Sequence, residues 1–158
     1  MGKFKFNLLD FWVPNPQKRF SDVLAGIEKC VNTPEFMQWF MMESFTELQL
    51  EHRRLTKQQL LETVRKEVAI EYYVVKKKWY QRFSSVIGFT DDNVISTYSD
   101  FYFSMSDAEL AGHIFHETLH AAGHSHSFNP SASREASLPY KCGYWVEKNF
   151  DKVPWPHG

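Results

Sequence analysis

His116-Glu117-Thr118-Leu119-His120-Ala121-Ala122-Gly123-His124-Ser125-His126 holds five fixed positions in the pattern H-E-x-x-H-x-x-G-x-x-H. On a helix, residues four apart lie one turn apart on the same face. His116 and His120 are therefore expected to aim two imidazoles at one metal ion. Glu117 lies about 100° around the helix from His116, so it is placed to hold a water at the metal's open side rather than to ligate. Gly123 permits a left-handed backbone turn that ends the helix. The chain then doubles back, and His126 is expected to supply a third nitrogen. Three protein ligands leave a fourth position for water, which is the catalytic pattern for zinc. Zn2+ is the expected cofactor.

The helix carrying these residues is well marked. Ser106-Asp107-Ala108-Glu109 is a capping-box sequence, with Ser at the cap and Glu three residues on. Leu110, Ile114, Thr118 and Ala121 form an apolar face opposite His116 and His120. One side should pack on a core and the other open on a cleft. His113 falls one turn before His116 and is expected as a partly solvated histidine on the cleft wall. His124 follows Gly123 and is expected to face solvent, since His126 already fills the template position.

The chain has 158 residues, 43% hydrophobic and 23% charged, with a net charge of -1. That composition suits one compact domain with a sizeable core. Nothing in the charge points to nucleic acid or an anionic membrane surface. No apolar run is long enough for a membrane span. The start, Met1-Gly2-Lys3-Phe4-Lys5-Phe6, has no signal-peptide pattern, and Phe6 breaks the myristoylation motif. The compartment expected is the cytoplasm, or the outside for a mature secreted form; a monomer is expected. Two cysteines, Cys30 and Cys142, allow one disulfide. Cys30 shares a helical face with Val23, Leu24, Ile27 and Val31, and is expected as a buried free thiol.

Residues 1–17 are expected as an extended lead-in and 19–31 as an amphipathic helix. Thr33-Pro34 opens a second helix running to about Leu48. Its Met37, Met41 and Met42 are expected in the core. Glu51-His52-Arg53-Arg54 is expected as a solvated connector. Thr56-Lys57-Gln58-Gln59 is another capping box, starting a helix through about Val68. Ala69–Tyr80, Ser84–Phe89 and Asn93–Tyr98 are expected strands, with a turn at Thr90-Asp91-Asp92-Asn93 and the basic run Lys76-Lys77-Lys78 at a solvated strand end. Asn129-Pro130-Ser131 is expected as a polar loop, and a last short helix or turn from Gly143 to Phe150.

The eleven-residue motif resembles the signature of the metzincin zinc metallopeptidases. The order of helix, strands, zinc helix, Gly turn and third histidine resembles a reduced form of that family from about residue 56 to 145. The resemblance implies an α+β fold: a small twisted sheet, a zinc-binding helix and a short C-terminal subdomain, preceded by N-terminal helices. It implies a single metallopeptidase-like domain over 1–158, with an upper subdomain to about 123 and a lower one over 124–158. It implies His116, His120 and His126 as metal ligands and Glu117 as catalytic base. Metzincins also place a methionine in a tight turn beneath the metal, but this chain has no Met after Met105. Ser137 to Cys142 falls where that turn is expected, with Leu138 or Cys142 as stand-ins and Pro139 stiffening it. Tyr140, or secondarily Tyr144, is the candidate for stabilising the transition state.

The activity implied is zinc-dependent hydrolysis of peptide bonds, with a peptide or protein as substrate. The Asn93–Tyr98 strand, or the stretch after it, is a candidate for pairing with an extended substrate. The alternative is a catalytically silent zinc-containing binding or interaction module, against which the intact Glu117 argues. A ligand set of His116, His120 and Glu135 is a second alternative, disfavoured by the Gly123 and His126 spacing.

Overall fold

Short-range capping chemistry sets several of the helix starts. The computed structural model describes residues 3–8, 16–47, 50–81, 86–127 and 130–152. Helix α1 spans Pro16–Val31 and buries Phe20, Val23, Ile27, Cys30 and Val31, one stripe at helical spacing. Helix α2, Pro34–Met42, starts as expected, with Thr33 Oγ1 accepting from Phe36 N at 3.1 Å. It stops well short of Leu48, which lies outside the described residues. Its buried face is Phe36 and Phe40. The methionines expected in the core are instead exposed, Met42 at 88%, because the two phenylalanines one turn apart already claim the inward side. A four-residue helix α3, Leu50–Arg53, precedes α4, Lys57–Arg65, whose Thr56–Gln59 capping box is present in both directions.

The protein is α+β, with one four-stranded sheet and several helices. The strands are β1 (Lys3–Leu8), β2 (Ala69–Val75), β3 (Gly88–Asp91) and β4 (Val94–Tyr98), in the order β1-β2-β4-β3. The lead-in thus includes a strand that pairs parallel to β2; residues 9–15 lie outside the described set, as do 82–85, which include the first two residues of the expected Ser84–Phe89 strand. The strand beginning at Ala69 ends at Val75, and the aromatic stretch beyond it holds a 3-10 turn, Trp79–Gln81. β3 and β4 form an antiparallel hairpin about Asp92-Asn93, with Asp92 at φ 51°, a left-handed value that short polar side chains tolerate. Thr90 and Asp91, expected in the turn, belong to β3.

This order corrects the expectation for Asn93–Tyr98. β4 is paired on both sides, parallel to β2 and antiparallel to β3. It has no unpaired edge to offer. Its Ile95, Ser96, Thr97 and Tyr98 are buried. Among the described residues, β1 and β3 are the strands at the two ends of the sheet.

After β4 come α5 (Ser99–Ser104) and the site helix α6 (Asp107–Ala121). The capping box of α6 is formed: Glu109 N donates to Ser106 Oγ at 3.1 Å and Ser106 N to Glu109 Oε1 at 3.2 Å. Arg19 of α1 fixes this junction. Its guanidinium donates to Asp107 Oδ1 at 2.8 Å, to Met105 O at 2.6 Å and to Tyr102 O. At the other end, His124 N donates to Leu119 O and Gly123 N to His120 O, both at 3.0 Å. With Gly123 at φ 99°, this is a Schellman ending.

The short α7 (Ala132–Glu135) leads to α8, Leu138–Asn149, which packs along α6. The two helices touch backbone to backbone at Gly112 and Gly143. A Cβ on Gly112 would lie 2.8 Å from Gly143 O, and one on Gly143 would lie 3.0 Å from Gly112 O and 3.3 Å from His116 Cβ. Gly112→Ala should therefore destabilise by about 1–3 kcal/mol through overpacking, outweighing a propensity gain of up to about 1 kcal/mol. The urea midpoint measures this, and an unchanged or higher midpoint would show that the helices separate freely. Cys30 and Cys142 are free and buried, and burial raises the Cys30 thiol to about 11.

Candidate metal centre

α6 and the turn after it bring three imidazoles to one point. The Nε2 atoms of His116 and His120 are 3.1 Å apart, those of His116 and His126 3.1 Å, and those of His120 and His126 3.0 Å. His120 Nδ1 donates to His124 O at 2.8 Å, and His126 Nδ1 donates to Ser127 O at 3.0 Å. A neutral imidazole carries one N–H. With that hydrogen on Nδ1, the Nε2 atoms of His120 and His126 present lone pairs to each other and to His116. Converging lone pairs repel unless a cation lies among them. Four nitrogens tetrahedral about zinc at about 2.0–2.1 Å are about 3.3–3.4 Å apart, so this triangle fits a zinc ion with modest expansion. Burial lowers the pKa of all three imidazoles, and their mutual repulsion lowers that of His116 further. Both effects keep the neutral, metal-binding form. The carbonyls holding His120 and His126 also fix ring orientation, as outer partners of metal-bound histidines do.

Glu117 is 8% exposed. Burial raises its carboxyl above the usual range, while the Thr90 hydroxyl, donating to Oε2, and the nearby His126 pull it down. Thr90 lies on β3, where burial alternates so that Gly88 and Thr90 turn inward. Sequence reasoning missed Thr90 by placing it in the turn. A period-two reading of Gly88–Asp91 ahead of the Asp92-Asn93 corner would have found it.

Ser137 to Cys142 is not a tight turn beneath the metal centre. It enters α8, with Pro139 in the first turn, where its missing N–H costs nothing. Leu138 and Cys142, the proposed stand-ins for the methionine, are both fully buried in the core. Tyr140 does face the histidines, its ring 4.5 Å from that of His116 and 4.7 Å from that of His126. Its oxygen accepts from Arg134 Nε at 2.8 Å and also from Nη2. Those bonds occupy the oxygen lone pairs and leave the hydroxyl hydrogen to donate. Tyr144 is one turn further out, 44% exposed. Glu135 does not join the cluster of ligand atoms formed by His116, His120 and His126.

His113 is partly buried and enters a hydrogen-bonded chain. Tyr72 Oη donates to Thr97 Oγ1 at 2.6 Å, and Thr97 Oγ1 is hydrogen-bonded to His113 Nε2 at 2.8 Å. Burial lowers its pKa to about 4. An unfolded histidine titrates near 6.5, so between about pH 6.5 and 4 the unfolded chain takes up a proton that the folded one refuses. The stabilisation is complete above that window and is lost as pH falls through it, by at most about 3 kcal/mol. His113→Gln cannot protonate, so its urea midpoint in chelator-treated protein should fall less between pH 6.5 and 4 than that of the wild type. Parallel pH profiles would show that His113 titrates normally.

His124 does not face solvent. It is 1% exposed, because the Schellman turn directs its side chain back under α6 toward residues 47, 52 and 63. Glu51-His52-Arg53-Arg54 is likewise not a plain solvated connector, since His52 stacks on His124 with ring centroids 4.2 Å apart.

No family model, curated protein or solved structure matches this chain. Among the described residues, no helix is long and apolar enough to cross a membrane.

Proposed function

We propose that this chain is a zinc-dependent peptidase of the metzincin type, hydrolysing peptide bonds with Glu117 as general base. The observation that carries the reading is the convergence of the His116, His120 and His126 Nε2 atoms within 3.1 Å. The buried Glu117 carboxylate next to them supplies the base. Zinc held there would polarise a scissile carbonyl and lower the pKa of a water toward about 7. Glu117 accepts the proton of the attacking water and returns it to the leaving amine. Its burial makes it a stronger base, and the Thr90 hydroxyl fixes the carboxylate's direction. The outer edge of β3, beside Thr90, is the place where an extended peptide would add as a further strand.

Tyr140 is the candidate oxyanion donor, its oxygen steadied by Arg134. In Tyr140→Phe, kcat should fall at least about 10-fold while KM changes little, because the lost hydrogen bond forms only in the transition state. An unchanged kcat would reduce Tyr140 to a packing residue beside the histidines. The reading as a whole is tested with a broad peptide library and zinc-loaded protein. Absence of cleavage would leave a non-catalytic zinc-binding module.

A further inference from the structure

We propose that Glu47, His52 and His124 form a second divalent-metal site, separate from the three-histidine centre and taking zinc or a similar first-row cation. Their ligand atoms all lie within 4.8 Å of one another. Three segments meet there: the stretch after α2, the short helix α3, and the turn leaving α6. His124 has no exposed side-chain surface, and the side chains of Glu47 and His52 are 9% and 11% exposed.

The protonation pattern can be traced atom by atom. The Thr63 hydroxyl donates its one hydrogen to Leu60 O at 2.6 Å. Thr63 Oγ1 also lies 2.8 Å from His124 Nε2, so His124 must be the donor there. Neutral His124 therefore carries its hydrogen on Nε2, and its Nδ1 lone pair faces Glu47 Oε1 at 3.7 Å. Two acceptors are then aimed at each other in a buried place. His52 Nδ1 stands 3.5 Å from Glu47 Oε2. Glu47 Oε1, His52 Nδ1 and His124 Nδ1 are all buried without a hydrogen-bond partner, an arrangement that is costly unless something positive sits among them.

A proton does not account for the spacing. A charge-assisted N–H···O contact closes to about 2.7–2.9 Å, and both separations are well beyond that. Two stacked imidazoles 4.2 Å apart would also repel if both were charged. A metal ion accounts for it better: nitrogen and oxygen atoms bound to one tetrahedral zinc are about 3.3–3.5 Å apart. Access is available as well. An open pocket lined by Phe45, Glu47, His52, Arg53, Lys57 and Leu60 would admit the ion and a water as the remaining ligand. Bound there, the ion would clasp the 43–47 stretch and α3 to the turn that carries His126.

The test counts metals. Protein stripped with EDTA, reloaded with Zn2+ and desalted should hold two zinc per chain by mass spectrometry. Glu47→Gln removes one charge at constant size, and His52→Phe keeps the ring stack; each should hold one. His126→Ala should also hold one, and Glu47→Gln combined with His126→Ala none. Because a variant can misfold, wild-type protein loaded with 113Cd2+ provides an independent count by NMR, with two resonances expected. A single resonance that persists in Glu47→Gln, or two zinc retained in both Glu47→Gln and His52→Phe, would overturn the second site. Zinc that responds to Glu47 but not to His126 would keep this site and remove the three-histidine one.

Discussion

Glu117→Gln should retain zinc at the three-histidine centre and hydrolyse peptides about 10²-fold or more slowly than the wild type. The substitution keeps volume and leaves an oxygen able to accept from Thr90, but an amide cannot take a proton from water at neutral pH. The proposed ligands His116, His120 and His126 are untouched. Single-turnover cleavage, alongside metal analysis of the same sample, separates lost chemistry from lost metal. Full activity in the zinc-loaded variant would end the general-base assignment.

His126→Ala should weaken zinc binding at that centre by more than about 10²-fold. Outer partners of metal-bound histidines alone are typically worth 10- to 100-fold, and this change removes a proposed ligand outright. Of the three nitrogens that now lie 3.0–3.1 Å apart, only those of His116 and His120 remain. Competition with a chelator of known affinity measures the change. Unaltered affinity would mean that some other group completes the centre.

What could be read in advance was local. The capping boxes at Thr56 and Ser106, the i, i+4 pair His116 and His120, and the break at Gly123 each involve residues within one or two turns. Their geometry follows from helix sterics and hydrogen bonding alone. His124 defeated the reading because its surroundings come from Glu47, His52 and Thr63, far away in the chain. Position after a glycine turn tells only that the backbone reverses, not what lies underneath. β4 became an interior strand because β2 and β3 flank it, and strand order is a long-range property. Pro139 was ambiguous in a different way: a fixed φ suits a tight turn and the first turn of a helix equally. Gly112 and Gly143 gave no signal singly, since only their juxtaposition across two helices gives them meaning.

The peptide unit of His124 serves two masters: its imidazole turns toward Glu47 and His52, while its carbonyl accepts from His120 Nδ1 at 2.8 Å. Occupancy of one cluster would therefore restrain the group that orients a proposed ligand of the other. Such an arrangement is thermodynamically reciprocal. Whatever factor an ion beside Glu47 lends to the affinity at His116, His120 and His126, an ion there must return to Glu47, His52 and His124. Titrating the two positions in either order should give one and the same cooperativity factor.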